Sequence, residues 1–295
     1  MKIGLCLPYM KPGLTREDFL GWFRHIDQGP FHSVSCGERI LGPSYDMRVL
    51  LAAAAMATER VEINATLYVL PMHNPVRAAK EIATLDVLSN GRLTVTCGYG
   101  GRELDYQAVG AQYKGRHARM DEHVAIMKRI WAQQPPFEGV DPVGPVPVQA
   151  GGPRLLTGAM GPKGIARSAR WADGIFAWSG NAELAELETT LALADSAWAE
   201  AGREEAPYRM GGFWYTLTDN GQHKLYDYVY NYLLIAGEDI ANWMAGTVHR
   251  SNTDAVKEAL DNLQAAGCEE AMLSPITADL AEIDRLADII ETRSA

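Results

Sequence analysis

Short apolar runs alternate with amphipathic segments along almost the whole chain. Ile3 to Pro8 reads as a first strand, and a helix is predicted from Thr15, whose hydroxyl and Asp18 three residues on have the spacing of a capping box. Ser33 to Arg39 is a second strand, followed by an alanine-rich helix from about Asp46 to Thr58. Val61 to Leu70 is rich in β-branched residues and reads as a third strand, after which Pro75 opens a helix running to Leu88. Ser89-Asn90-Gly91 is a turn into a fourth strand, Arg92 to Cys97, and a helix is predicted from about Ala118 to Trp131. Arg154 to Met160, Gly174 to Trp178, Tyr208 to Thr218 and Glu270 to Ile276 are the remaining strands. The helices among them are Pro162 to Ala172, Ala182 to Ala201, a tyrosine-rich region from about Gln222 to Gly246, Thr253 to Ala266 and a last one from about Asp279 to Thr292.

Eight strands separated by helices imply parallel pairing with right-handed crossovers. The 295 residues accommodate a single (β/α)8 TIM barrel, for which about 250 residues plus insertions are usual; a doubly wound sheet is the alternative. Six prolines fall between Pro135 and Pro153, which predicts an irregular surface loop and a candidate lid. This excursion lies inside the strand alternation, so one domain over 1–295 is expected.

Composition narrows the function classes. With 27 Lys+Arg against 37 Asp+Glu the formal net charge is −10, and no basic cluster compensates, which argues against nucleic acid as a partner and favours a small-molecule substrate. The longest apolar stretch, Val49 to Ala57, is far short of the roughly 20 residues of a membrane span, so no membrane partner is expected. The opening MKIGLCLPYMKPG holds too little apolar sequence before Pro8 for a secretory core, and a cytoplasmic location is expected. Cys6, Cys36, Cys97 and Cys268 are widely separated, and no His pair has ligand spacing, so neither a disulfide framework nor a metal is expected.

In a barrel of this kind the working end is the C-terminal end of the strands. The chemistry-bearing residues there are Tyr9, Cys36, Glu38, Thr66, Tyr68, His73, Gly98 to Arg102, Gly158 to Lys163, Trp178, Trp214 and Ser274. Gly98-Tyr99-Gly100-Gly101 fails the GxGxxG pattern because Glu103 stands at the third glycine position, but such a turn admits close backbone approach to a flat or anionic ligand. Gly158-Ala159-Met160-Gly161-Pro162-Lys163 joins a strand to a helix start and combines small residues with a cation, a recipe for holding phosphate or for an ordinary turn. His73 is the histidine placed just beyond a strand end, and imidazole exchanges protons near neutral pH. Tyr226, Tyr230 and Trp243 form either a packing or subunit-contact stripe or a lining for an aromatic substrate. Asp86 and Arg92 lie at the opposite end and are expected to form a structural ion pair.

These segments carry a resemblance. Leu70-Pro71-Met72-His73-Asn74-Pro75, then Ala79-Lys80, Ala83 to Leu93 and Cys97 to Gly101, with Glu103, Gly110, Gly151-Gly152-Pro153, Gly161-Pro162-Lys163 and Trp171-Ala172-Asp173-Gly174, resemble the luciferase-like monooxygenase family over nearly the whole chain. The resemblance implies an oxidoreductase with a flavin or deazaflavin ring over the barrel mouth. It places Thr66 beneath the ring, Gly98, Tyr99, Gly100 and Arg102 beside it, and Gly158, Ala159, Met160, Gly161 and Lys163 on the phosphate side. Tyr9, Cys36, Trp178, Trp214 and Tyr230 are then the expected substrate pocket. Many members have a histidine after the second strand, whereas this chain has Cys36-Gly37-Glu38-Arg39, which passes acid–base duty to His73, Glu38 or Tyr99. The implied reaction is oxygenation of a small organic substrate by molecular oxygen and reduced FMN from a separate flavin reductase, in a homo-oligomer. Alternatives are hydride transfer with a deazaflavin (coenzyme F-420), a barrel that binds flavin without turnover, and an unrelated sugar-phosphate isomerase.

Overall fold

The computed structural model describes residues 1–294. Eight parallel strands, β1 (Lys2–Cys6), β2 (Ser33–Cys36), β3 (Glu62–Tyr68), β4 (Leu93–Cys97), β5 (Arg154–Thr157), β6 (Gly174–Trp178), β7 (Tyr208–Tyr215) and β8 (Glu270–Pro275), close into a barrel in sequence order. The closure is β1 against β8, with Ile3 opposite Ala271 and Leu5 opposite Leu273. Around it run α1 (Arg16–Gln28), α2 (Met47–Ala57), α3 (Pro75–Leu88), α4 (Glu103–Ala108), α5 (Arg116–Trp131), α6 (Pro162–Ser168), α7 (Leu184–Glu200), α8 (Gly221–Leu233), α9 (Glu238–Thr247), α10 (Thr253–Ala265) and α11 (Ala281–Ser294). The chain is therefore a (β/α)8 TIM barrel.

The local chemistry behind these elements is the chemistry the sequence carries. Thr15 and Asp18 form the reciprocal capping box at the start of α1, and Asn74 caps α3 ahead of Pro75. Trp22, Ile26, Leu51 and Ala54 on the inner faces of α1 and α2 pack into the shell between helices and strands. Inside the barrel the lower end holds a polar group: Glu270 accepts from Ser33 Oγ at 2.5 Å, Asn64 Nδ2 at 3.1 Å and Tyr208 Oη at 2.9 Å. Above it Leu156, Phe176, Met210 and Met272 form an apolar layer against which Leu67 packs. A buried carboxylate so supplied with donors avoids the cost of an unpaired charge.

One irregularity shapes the upper end. Thr66 of β3 pairs with Thr96 and Tyr68 with Cys97, so Leu67 is the extra residue of a bulge, and the Thr66–Leu67 peptide is cis. A bulge re-aims the side chain it inserts. Leu67 points into the barrel, where β-carbons on Gly98 and Gly158 would stand 2.8 and 2.4 Å from it.

Several sequence expectations are corrected here. The Pro-rich excursion is no lid for the barrel mouth: it joins the end of α5 to the start of β5 at the N-terminal end of the strands. There the Asp86 carboxylate accepts from Gln149 N (3.0 Å) and Nε2 (2.7 Å), and Lys80 reaches Gly144 O at 2.9 Å. Asp86 and Arg92 do not pair, because Arg92 spends its guanidinium on carbonyls of Ala55, Thr58, Val61 and Ser89. The polar stretch after Gly101 contains the short helix α4, and the second strand stops at Cys36, three residues before the expected end. No helix among the described residues is long and apolar enough to cross a membrane.

Candidate active site

The loops following the strands enclose a cavity of about 940 Å³ at the C-terminal mouth of the barrel. That is near the upper end of the range usual for ligand pockets, roughly 300–1,000 Å³. One side is aromatic. Phe176 and Trp178 of β6, Trp214 of β7 and Tyr232 of α8 meet edge to face with ring centroids 5.8, 5.0 and 5.3 Å apart in succession, and Tyr232 stacks on Tyr228 at 6.4 Å. Such contacts fix ring orientation beyond simple burial. The other side is built by the loops after β2 to β5 and is bordered by Gly37, Thr66, Gly100, Gly101, Gly158 and Met160.

Besides Gly158, glycine is required at two more of these positions. Gly100 has φ +62° and a β-carbon there would stand 2.6 Å from Val69; a β-carbon on Gly37 would stand 2.6 Å from Tyr9 Oη. At Gly101 and Gly161 a β-carbon would meet nothing within 4 Å, so these two backbone segments border open space. The loop from Gly158 to Gly161 is braced from beneath: Tyr99 Oη lies 3.0 Å from Ser168 Oγ, which accepts from Thr157 Oγ1, and that oxygen accepts from Ala159 N at 3.2 Å. Lys163 is exposed in the first turn of α6.

Glu38 stands in the cavity wall after β2, its side chain 4% exposed. Its Oε2 accepts from Val69 N at 2.7 Å and its Oε1 from His73 Nε2 at 2.8 Å. His73 is outside the wall, with its ring edge on Tyr68 at 5.0 Å and Nδ1 3.5 Å from Arg48 Nη1. A guanidinium only donates, so Nδ1 accepts and Nε2 carries the proton given to Glu38. Arg48 in turn pairs with Asp46 at 2.9 Å and Glu81 at 3.4 Å, and Tyr68 Oη donates to Glu81 at 3.2 Å. The carboxylate is thus held from behind by a network anchored in α2 and α3.

Of the residues singled out from sequence, Glu38, Thr66, Gly100, Arg102, Gly158, Met160, Tyr9, Trp178 and Trp214 border the cavity. Gly98, Ala159, Gly161 and Lys163 flank it without forming its wall, and His73 and Tyr99 act on wall residues from outside. Two substrate-pocket expectations are corrected. Tyr230 stacks on Tyr226 at 6.2 Å, and Tyr228 and Tyr232 take the wall instead, because α8 presents two interleaved i, i+4 tyrosine pairs and the packing on Trp214 selects the second. Cys36 is fully buried with its thiol toward Gly37 O at 3.5 Å, and the cysteine at the cavity is Cys6. Burial pushes the Cys6 thiol up to about 11 and the Cys36 thiol well above its ordinary value, which makes both poor nucleophiles. Sequence reasoning did not single out Lys11, Asp105 or Tyr106, all in the wall. Asp105 pairs with Arg102 at 3.3 Å and accepts from Leu41 N at 3.2 Å, so α4 closes over the mouth.

Residues 1–281 match the family described as luciferase-like monooxygenase. The chain belongs to that family. Its members are oxidoreductases, monooxygenases and dehydrogenases among them. An uncharacterised protein of Mycobacterium tuberculosis is 33% identical over 170 residues, 55% of this chain and 59% of that relative, so the chain spans little more than half the length of the first curated relatives it matches. An F420-dependent glucose-6-phosphate dehydrogenase of Intrasporangium calvum is 34% identical over 125 residues, 35% of this chain and 37% of the relative. Among solved structures, monooxygenase RslO1 from Streptomyces bottropensis superposes with a TM-score of 0.80 over 100% of both chains at 22% identity, a likeness of fold. FMNH2-dependent monooxygenases are also among the relatives.

Proposed function

We propose that this chain binds reduced FMN in the mouth cavity and oxygenates a small organic substrate with molecular oxygen, the reduced cofactor arriving from a separate reductase. The observation that carries the reading is the division of the cavity into a side bordered by glycine backbone and a side of aromatic rings, with the buried carboxylate of Glu38 in its wall. Open space beside Gly101 and Gly161 gives a planar ring and its phosphate room against backbone, and the aromatic side suits an apolar substrate. Residues of this chain fit such a group: Thr66, Leu67, Gly100 and Arg102 would hold its ring, and the segment Gly158 to Lys163 would hold its phosphate. When bound, reduced FMN supplies the electron pair that activates oxygen.

The remaining work falls to the protein. Trp178, Trp214 and Tyr232 exclude water from the substrate side, and α4 with Tyr106 covers the loops. Glu38 holds or moves a proton at Oε1 or Oε2, and His73 through Nε2, together with Val69 N, fixes the orientation of the carboxylate. A second reading is hydride transfer with the deazaflavin, favoured by the 34% identity to the F420-dependent dehydrogenase. Rapid mixing of the protein and reduced FMN with oxygenated buffer separates the two. Re-oxidation on the protein should differ in rate from free reduced FMN and respond to organic substrates, and a rate equal to that of the free cofactor at saturating protein contradicts the proposal.

A further inference from the structure

The polar groups of the cavity wall fall into two sets. Every acidic side chain there has a donor from the protein: Glu38 has His73 and Val69 N, Asp105 has Arg102 and Leu41 N, and Glu186 accepts from Ser179 Oγ at 2.7 Å. The donors at the β1 and α8 corner have no acceptor. Among the described residues, the hydroxyls of Tyr9, Tyr228 and Tyr232 make no hydrogen bond, and the Lys11 ammonium faces no carboxylate, only the Tyr228 ring at 5.4 Å from its centroid. Arg39 adds a second cation, its guanidinium carbon 5.7 Å from the centroid of Tyr232. Half-buried donors that line a cavity and have no acceptor from the protein are free to bond whatever occupies it, so their concentration in one corner points to a ligand that brings acceptors.

Resting on the flavin reading above, we infer that the substrate is a small aromatic or apolar oxyanion, a carboxylate or an enolate, its charged oxygens held by Lys11 and the hydroxyls of Tyr9, Tyr228 and Tyr232 and its body against Trp178 and Trp214. A carboxylate accepts up to about four hydrogen bonds, which matches this donor set. The tyrosines are fit to donate: burial, first among the causes, raises all three above their ordinary value and keeps them protonated. Charge-assisted bonds of this kind also discriminate against a neutral analogue, because bonds to an ionised acceptor are roughly twice as strong as those between neutral groups.

The test compares benzoate with benzamide, similar in shape and different in charge, by saturation-transfer NMR or calorimetry on the full chain, with and without FMN. The expected result is at least tenfold tighter binding of benzoate, with the preference lost in Lys11→Met and reduced in Tyr228→Phe and Tyr232→Phe. Lys11→Gln repeats the measurement should the methionine variant fail to fold. Parallel titrations with FMN and riboflavin separate substrate from cofactor: if Lys11→Met weakens FMN and not riboflavin, the ammonium serves the cofactor phosphate and the inference is overturned. Equal binding of benzoate and benzamide overturns it too, and with FMN still bound that result leaves the cofactor reading standing. A benzoate preference that depends on Lys11 in a protein that fails to bind FMN supports the inference and removes the cofactor reading instead.

Discussion

His73 Nε2 lies 2.8 Å from Glu38 Oε1, with the carboxylate in the cavity wall and the imidazole behind it. In the proposed reading the group that meets a bound molecule is Glu38, with His73 as its positioning partner.

If Glu38 carries the proton as proposed, its exchange for Gln should lower the rate of the chemical step by about 10²–10⁴-fold, the usual worth of general acid–base help. His73→Gln keeps a donor within reach of Glu38 and should cost less while displacing the pH profile of that step. Single-turnover rates from pH 5 to 9 check both. A larger loss from His73→Gln than from Glu38→Gln would put the imidazole, not the carboxylate, at the reacting centre.

Gly158 makes room for Leu67 at the cavity floor. Gly158→Ala places a methyl group 2.4 Å from Leu67 Cδ2 and should destabilise by about 1–3 kcal/mol, the usual cost of overpacking. In a Leu67→Ala background the cost should largely vanish, since neighbours that share a space couple. Urea unfolding of the four proteins measures this, and an equal cost in both backgrounds would show that Leu67 is not what Gly158 accommodates.

Gly161 borders open space, so Gly161→Val should leave the melting temperature nearly unchanged while weakening FMN binding at least tenfold. Lys163→Ala should weaken FMN more than riboflavin, which lacks the phosphate. If both variants bind FMN like the parent, the phosphate is held elsewhere than on the loop before α6.

Glu282 in α11 is buried, its Oε1 accepting from Leu217 N at 2.5 Å and its Oε2 without a hydrogen-bond partner. Burial pushes its carboxyl up to about 7 from 4.5, against which the Leu217 N–H and Arg285 pull downward. An acid raised in the folded state binds more protons there than in the unfolded chain, so stability is fully present below about pH 4.5 and falls as pH rises through about 7, by on the order of 3 kcal/mol. Glu282→Gln should remove that slope and be the more stable protein at pH 8. Urea unfolding at pH 5, 6, 7 and 8 tests it; parallel curves for parent and variant would mean that Glu282 is ionised throughout.

Periodicity made the barrel legible, because eight strands alternating with amphipathic helices have few parallel closures. Residues at strand ends were legible for the same reason: once Thr66, Glu38, Gly158, Trp178 and Trp214 lie at C-terminal ends, the topology alone brings them to one mouth. Side-chain direction was less accessible. Four tyrosines on α8 share one spacing, and only the position of Trp214 turns Tyr228 and Tyr232 inward. Lys11 carries no sequence signal beyond its place after β1. Irregularity in the Pro-rich excursion does not distinguish a lid from a connection, and a loop that follows a helix returns to the lower end of the barrel, where Gln149 reaches Asp86.

The central claim, that the mouth cavity takes reduced FMN, is tested most directly by anaerobic titration with reduced FMN and with the reduced deazaflavin, followed by tryptophan fluorescence, since Trp178 and Trp214 border the site. The account predicts quenching that saturates at one reduced FMN per chain, with affinity at least tenfold above that for the deazaflavin. Tighter binding of the deazaflavin, or no quenching by reduced FMN, would contradict it.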